Sequence, residues 1–305
     1  VEAYPDVAGV VAAASAFVRF RPGLCALRVA GRSREGRPLY VLTVGRDRPG
    51  VRNVLVVAGG LADRRGGGAA ALRVAERVAL DPALHLGTGA AWHFLLCLDP
   101  DGAARTEAGP AVRRTLGDHF LHAFRRPPGE EPENAAGTPE SAALTALIDE
   151  LDPVLQCSLR GVEAGGARVL ATREVPGLAA GVAAVCAERR VPVRLGAYGL
   201  PYGVPAAPGV VLAAPSDADG STWWRTPLTA VVEVPMWATP GAAQAPGPSA
   251  DLAARLAALR TTPASHVPDA AEALLAAHPS AWLPVPTQLD THAALTLAVA
   301  SRVLS

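Results

Sequence analysis

Two apolar runs of strand length, VLVVAG at 54–59 and WHFLLCLD at 92–99, bracket a helix-patterned stretch from Gly68 to Leu80. A strand, a helix and a second strand in so short a span leave few folds open. Parallel neighbours need a crossover connection, and a helix is the usual one. In open α/β sheets, ligands gather beyond the carboxyl ends of the strands. The loop after the first run, GGLADRRGG at 59–67, places Asp63, Arg64 and Arg65 in that zone.

The remaining chain continues the pattern. LCALRVAG (24–31) and LYVLTVG (39–45) read as strands joined through the turn GRSREGRP (31–38), after a short helix over 5–17. SAALTALIDEL (141–151) reads as a helix, with Thr138 or Ser141 as its cap and Glu140 in its first turn. VLQCSLRG (154–161) is a strand, 175–190 a helix with a basic end, and LTAVVEVPMW (228–237) the last clear strand. Helices follow near 250–260, 268–277 and 290–303. The stretch 103–139 reads as a long ordered loop over one end of the sheet, 191–227 as loops around short strands, and 238–250 as a connector. No tandem repeat interrupts the alternation, so residues 1–305 are expected to form a single α/β domain.

Composition removes several function classes. Lys+Arg and Asp+Glu are both 28, and a balanced chain is not expected to be a nucleic-acid-binding body. No apolar run approaches the roughly 18–20 residues of a membrane span, so no membrane partner is expected. Cys25, Cys97, Cys157 and Cys186 lie far apart, mostly in apolar runs, and read as buried thiols rather than a disulfide set or a metal cluster. The first residues, VEAYPDV, show no basic region followed by an apolar core, and cytoplasmic residence is expected.

The strand ends carry a resemblance. GRSREGRPLYVLTVG, LDPDGA (98–103), SLRG (158–161) and TAVVEVP (229–235) occur in the order of the zinc carboxypeptidase family, the carboxypeptidase A/B-like exopeptidases, and in particular its bacterial members. LDPDGA resembles that family's asparagine–proline–aspartate–glycine signature, with Asp99 where asparagine is usual. The resemblance covers roughly residues 5–237. It implies a mixed, mostly parallel eight-stranded sheet flanked by helices on both faces.

It also implies a zinc site that these residues do not build. The family's loop histidine falls on Leu61, its glutamate three residues on falls on Arg64, and the later histidine falls on Arg160. Leucine has no donor atom, and a guanidinium is a permanent cation with donors only. A hydrolytic zinc needs about three ligands from Cys, His, Asp or Glu. A one-residue shift offers Asp63 but leaves Arg160 unchanged. His119 and His122 are three residues apart but away from these positions, and read as surface or local structural groups. No metal and no cofactor is therefore expected.

Glu233 matches the family's catalytic base, and Arg64 and Arg160 would make a cationic pocket facing it, suited to a carboxylate or phosphate. Arg113 or Arg114 would stand near the oxyanion position, and Arg125 or Arg126 on the carboxylate side, although a solvated basic face explains them equally well. Tyr198 or Tyr202 would correspond to the family's mobile tyrosine. Gly165 and Gly166 read as a tight turn.

Three functions compete. The first is a zinc-less carboxypeptidase-like protein, a pseudoenzyme binding a small anionic or peptide-like ligand. The second is a metal-independent enzyme using Glu233 as acid or base on a peptide-like metabolite, by acyl transfer, cyclisation or elimination. The third is an ordinary zinc metallocarboxypeptidase, which the ligand positions argue against.

Overall fold

The computed structural model describes residues 4–45, 50–60, 66–87, 89–107, 115–121, 137–195, 203–213, 225–238 and 250–305. Ten strands form one mixed sheet among them. β1 (Cys25–Arg32) and β2 (Pro38–Val44) make the expected antiparallel hairpin, and β2 pairs antiparallel with β4 (Ala90–Leu95). β3 (Arg52–Val57) lies between β4 and β5 (Leu155–Gly165), parallel to both, and β5 runs parallel to β9 (Thr229–Ala238). Beyond β9 come β6 (Arg168–Ala171), β8 (Val210–Ala213) and β7 (Gly203–Ala207), with the two-residue β10 (Ala281–Trp282) pairing against β9.

The mixed sheet flanked by helices is as expected, but it has ten strands rather than eight. The parallel block is β4-β3-β5-β9, β6 and β8 also pair in parallel, and the β1–β2, β2–β4, β6–β9, β7–β8 and β9–β10 pairings are antiparallel. The additional strands are short, and short apolar runs carry little periodic signal.

Strand alternation sorts the two faces. Val54 and Val56 of β3, Cys157 and Leu159 of β5, and Val232 and Val234 of β9 enter the main core. That core is closed by α1 (Val7–Phe20), α2 (Gly67–Leu80), α6 (Leu178–Arg189) and α9 (Val285–Leu304). Residues of the other parity, such as Leu55 and Val57, meet α5 (Pro139–Leu151). Thr138 caps α5 by accepting from Ser141 N, as its sequence predicts. A third cluster joins Met236 and Trp237 at the end of β9 to α4 (Leu116–His119), α7 (Ala250–Thr261) and α8 (Val267–Ala277). The four cysteines are free and buried.

Two distant motifs meet at the carboxyl end of β4. Asp99 Oδ1 accepts from Gly102 N at 2.8 Å, turning the chain into α3 (Pro100–Glu107). Asp101 accepts from Ser33 Oγ at 2.6 Å, Glu35 N at 2.9 Å and Arg37 Nη1 at 2.8 Å. The β1–β2 turn is thus fastened onto α3 through one buried carboxylate. Burial pushes the Asp101 carboxyl up, but the Ser33 and Arg37 hydrogen bonds, with the Glu35 amide and the Arg37 charge, hold it below its usual range.

Candidate functional site

β3 and β4 leave the sheet side by side. Leu98 N donates to Ala58 O at 2.8 Å and Asp99 N to Gly59 O at 3.0 Å. Gly59 has φ +70°, and a Cβ there would lie 2.8 Å from Cys97 Cα, so the close approach requires glycine. The loop that follows lies outside the described residues, and Leu61, Asp63 and Arg64 lie within it. Arg113, Arg114, Arg125, Arg126, Tyr198, Tyr202 and His122 also lie outside them.

Glu233 and Arg160 are brought together. β5 and β9 pair in register so that Arg160 stands opposite Glu233, and β6 pairs with β9 so that Arg168 stands opposite the same glutamate. All three belong to the face that Leu170 and Val231 share, away from the main core. The result is a row across three strands: Arg160, Glu233, Arg168.

The contacts within the row are unequal. Arg168 Nε donates to Glu233 Oε2 at 2.6 Å, with side chains only 3% and 4% exposed. Arg160 is half-buried and makes no hydrogen bond or ion pair to any described residue. Burial pushes the Glu233 carboxyl up. The charges of Arg168 and Arg160, the Arg168 hydrogen bond and the charge of Arg194 outweigh it and hold the group below its usual range. Glu233 is therefore an ionised carboxylate among three guanidiniums.

Sequence reasoning singled out Glu233 and Arg160 but missed Arg168 and Arg194. RVLA is only four residues long, next to the two glycines, and was not recognised as a strand. The glycines do serve a turn. Gly165 has φ +116°, and a Cβ on Gly166 would lie 2.5 Å from Arg194 N. That close approach brings Arg194 beside Ala167, whose carbonyl accepts from Arg194 N at 2.9 Å.

The row does not fit a zinc ion. The position that resembles the family's third ligand holds Arg160, whose charge acts on Glu233, and a guanidinium has no lone pair with which to bind a dication. Among the described residues, no group of three or more His, Cys, Asp or Glu gathers to hold a metal ion. Among the described residues, His93 lies between Thr43 Oγ1 and Asn53 Oδ1, His85 against Val78 O, and His278 against Asp251. A hollow of about 10 Å³ lined by Val7, Val10, Tyr40 and Leu96 lies on the α1 side. It has room for about one water and no charged lining, so it is not the site.

Comparison with known proteins gives the same fold. Residues 10–130 match the family described as zinc carboxypeptidase. A candidate metallopeptidase from Shewanella amazonensis SB2B superposes with TM-score 0.58 at 15% identity, covering 97% of this chain and 92% of that one. A metallo-carboxypeptidase from Burkholderia cenocepacia gives TM-score 0.53 at 14% identity, over 96% and 68% of the two chains. Carboxypeptidase A from Helicoverpa armigera gives 0.53 at 14% identity, over 90% and 74%. A search of curated proteins gave no match. The family match over 10–130 and the shared fold make this chain similar to the zinc carboxypeptidases, with Leu61, Arg64 and Arg160 at the positions that resemble the metal ligands.

Proposed function

We propose that this chain is a zinc-less carboxypeptidase-like protein that binds a small anionic or peptide-like ligand at Arg160 and Glu233, midway along β5 and β9. The observation that carries the reading is the register of Arg160 with Glu233, with Arg168 holding Glu233 from the opposite side. One carboxylate is enough to compensate one buried guanidinium, and Arg160 is left as a half-buried cation whose charge acts on Glu233. A guanidinium fork suits a carboxylate or phosphate. Arg64, in this reading, adds a second positive group from the neighbouring loop, and Arg113, Arg114, Arg125 and Arg126 are further candidates for the ligand's acidic end.

The same arrangement disfavours hydrolysis of the family type. A metallohydrolase needs a metal to lower the pKa of a bound water and to polarise the carbonyl. Arginine stabilises a developing negative charge but supplies no bound water of low pKa. Glu233, engaged by Arg168, is a poor candidate to carry a proton back and forth, so the acid/base enzyme ranks second.

The test is release of C-terminal amino acids from a mixed peptide library, with zinc, with chelator, and with Glu233→Gln. The proposal expects no zinc-dependent release. Robust release abolished by both chelator and Glu233→Gln would return the chain to ordinary carboxypeptidase activity.

A further inference from the structure

Large apolar side chains exposed singly are ordinary on a protein surface, whereas several gathered at one place mark a contact. Among the described residues the exposed ones are Phe20, Val29, Leu80, Leu86 and Val204, and three of these five belong to segments tied together at one end of the molecule. Phe20 ends α1 and Leu80 ends α2, and Arg21 Nη1 donates to Ala79 O at 3.4 Å, so the two helices finish side by side. The turn Ala83–Gly87 folds back under α2. His85 Nδ1 lies 2.8 Å from Val78 O, and Trp92 Nε1 donates to Leu84 O at 3.0 Å. In these same segments Phe17, Val18 and Leu84 pack on the main core. Phe20, Leu80 and Leu86 do not, and stand 84%, 66% and 67% exposed. The core has no use for them.

The charges around the patch are mostly positive. Arg19 and Arg21 flank Phe20, and neither forms an ion pair with a described residue. The one carboxylate within 17–25 and 78–87 is Asp81, whose Oδ1 already accepts from Ala83 N at 2.9 Å. A second copy of the chain fits this surface poorly. Three protruding side chains offer a few hundred Å² at most, while a stable interface takes about 800 Å² from each partner. A twofold contact would also set the guanidiniums against their own counterparts. A lipid surface has neither requirement, since apolar side chains enter it one by one while arginines stay among the phosphates. We propose that the end of the molecule bearing Phe20, Leu80 and Leu86, with Arg19 and Arg21, docks on an anionic lipid surface. The contact is from one side only, because no helix among the described residues is long and apolar enough to cross a membrane. β4 starts just after the turn Ala83–Gly87 and runs parallel to β3, so the carboxyl ends of these strands point away from the lipid.

The experiment is flotation of the full chain with vesicles of phosphatidylglycerol and phosphatidylcholine in equal parts, and with phosphatidylcholine alone, at low and high salt. The bound fraction should be about tenfold greater on the anionic vesicles, and high salt should release it. Phe20→Ser/Leu86→Ser should lose about tenfold in vesicle binding while melting like the parent, since both side chains lie outside the core. Arg19→Glu, at an exposed position, should weaken binding to the anionic vesicles and leave the melting temperature unchanged. Absence of flotation with the anionic vesicles, equal flotation with both kinds, or flotation that Phe20→Ser/Leu86→Ser leaves intact overturns the proposal. So does a concentration-dependent dimer in sedimentation velocity that the double variant abolishes, which would assign the patch to a second copy of the chain. None of these outcomes bears on the acidic-ligand reading of Arg160 and Glu233.

Discussion

Arg168 and Glu233 face each other across the antiparallel β6–β9 pairing, Nε 2.6 Å from Oε2, and both are almost wholly withdrawn from water. A pair of this kind adds little net stability, because the Coulomb gain is offset by desolvation, yet removing one partner is costly. Arg168→Met should therefore destabilise the protein by about 3–5 kcal/mol in denaturant unfolding. The double variant Arg168→Met/Glu233→Leu should lose distinctly less. Equal losses in the single and double variants would show that the two charges do not depend on each other.

Acid should act through the same carboxylate. Glu233 is held below its ordinary value of 4.5 in the folded protein, so its contribution is present above that value and is lost as pH falls through the folded pKa. Asp101, held below 3.8, adds to the loss in the same direction at lower pH. Stability measured against pH should thus fall on the acid side of 4.5, and Asp101→Asn should flatten the lower part of that limb. A limb unaltered by Asp101→Asn would contradict the role given to the Ser33–Asp101–Arg37 contacts.

His292 predicts a second and separate slope. Burial on α9 pushes its imidazole down to about 3 from the ordinary 6.5, so the folded protein keeps it neutral where the unfolded chain would protonate it. Above 6.5 both folded and unfolded states are neutral and protonation contributes nothing, and stability is lost as pH falls from there toward 3. The slope should approach about 1.4 kcal/mol per pH unit once the unfolded imidazole is protonated. His292→Leu should remove that slope, read from urea midpoints between neutral pH and mild acid. An unchanged slope would place the titration elsewhere.

The strand alternation was legible because VLVVAG and LTAVVEVPMW are long and apolar, and because helices such as 141–151 carry a cap and a periodic face. The strand count was not. β6, β7, β8 and β10 are two to five residues long, and only their pairing reveals them. The site was legible to the same extent. Glu233 and Arg160 stand in long strands with recognisable flanks, whereas Arg168 matters only because β9 inserts between β5 and β6, a nonlocal pairing that no local spacing encodes. The clamp between Ser33 and Asp101 escaped notice for the same reason: each half looks like an ordinary turn.

Gly59 tests the strand-end geometry without touching a charge. Its left-handed backbone and the approach of Cys97 leave no room for a methyl group. Gly59→Ala should cost about 1–3 kcal/mol through overpacking, with further strain from the positive φ. A variant as stable as the parent would mean that the β3 and β4 ends can separate freely.

The central proposal is that Arg160, at the position that resembles the family's third metal ligand, receives the ligand. The most direct measurement is the thermal shift produced by a peptide acid in the presence of chelator, for the parent and for Arg160→Gln. The account predicts stabilisation of the parent that chelator does not diminish and that Arg160→Gln largely removes. Stabilisation that requires zinc, and that Arg160→Gln leaves intact, would contradict it.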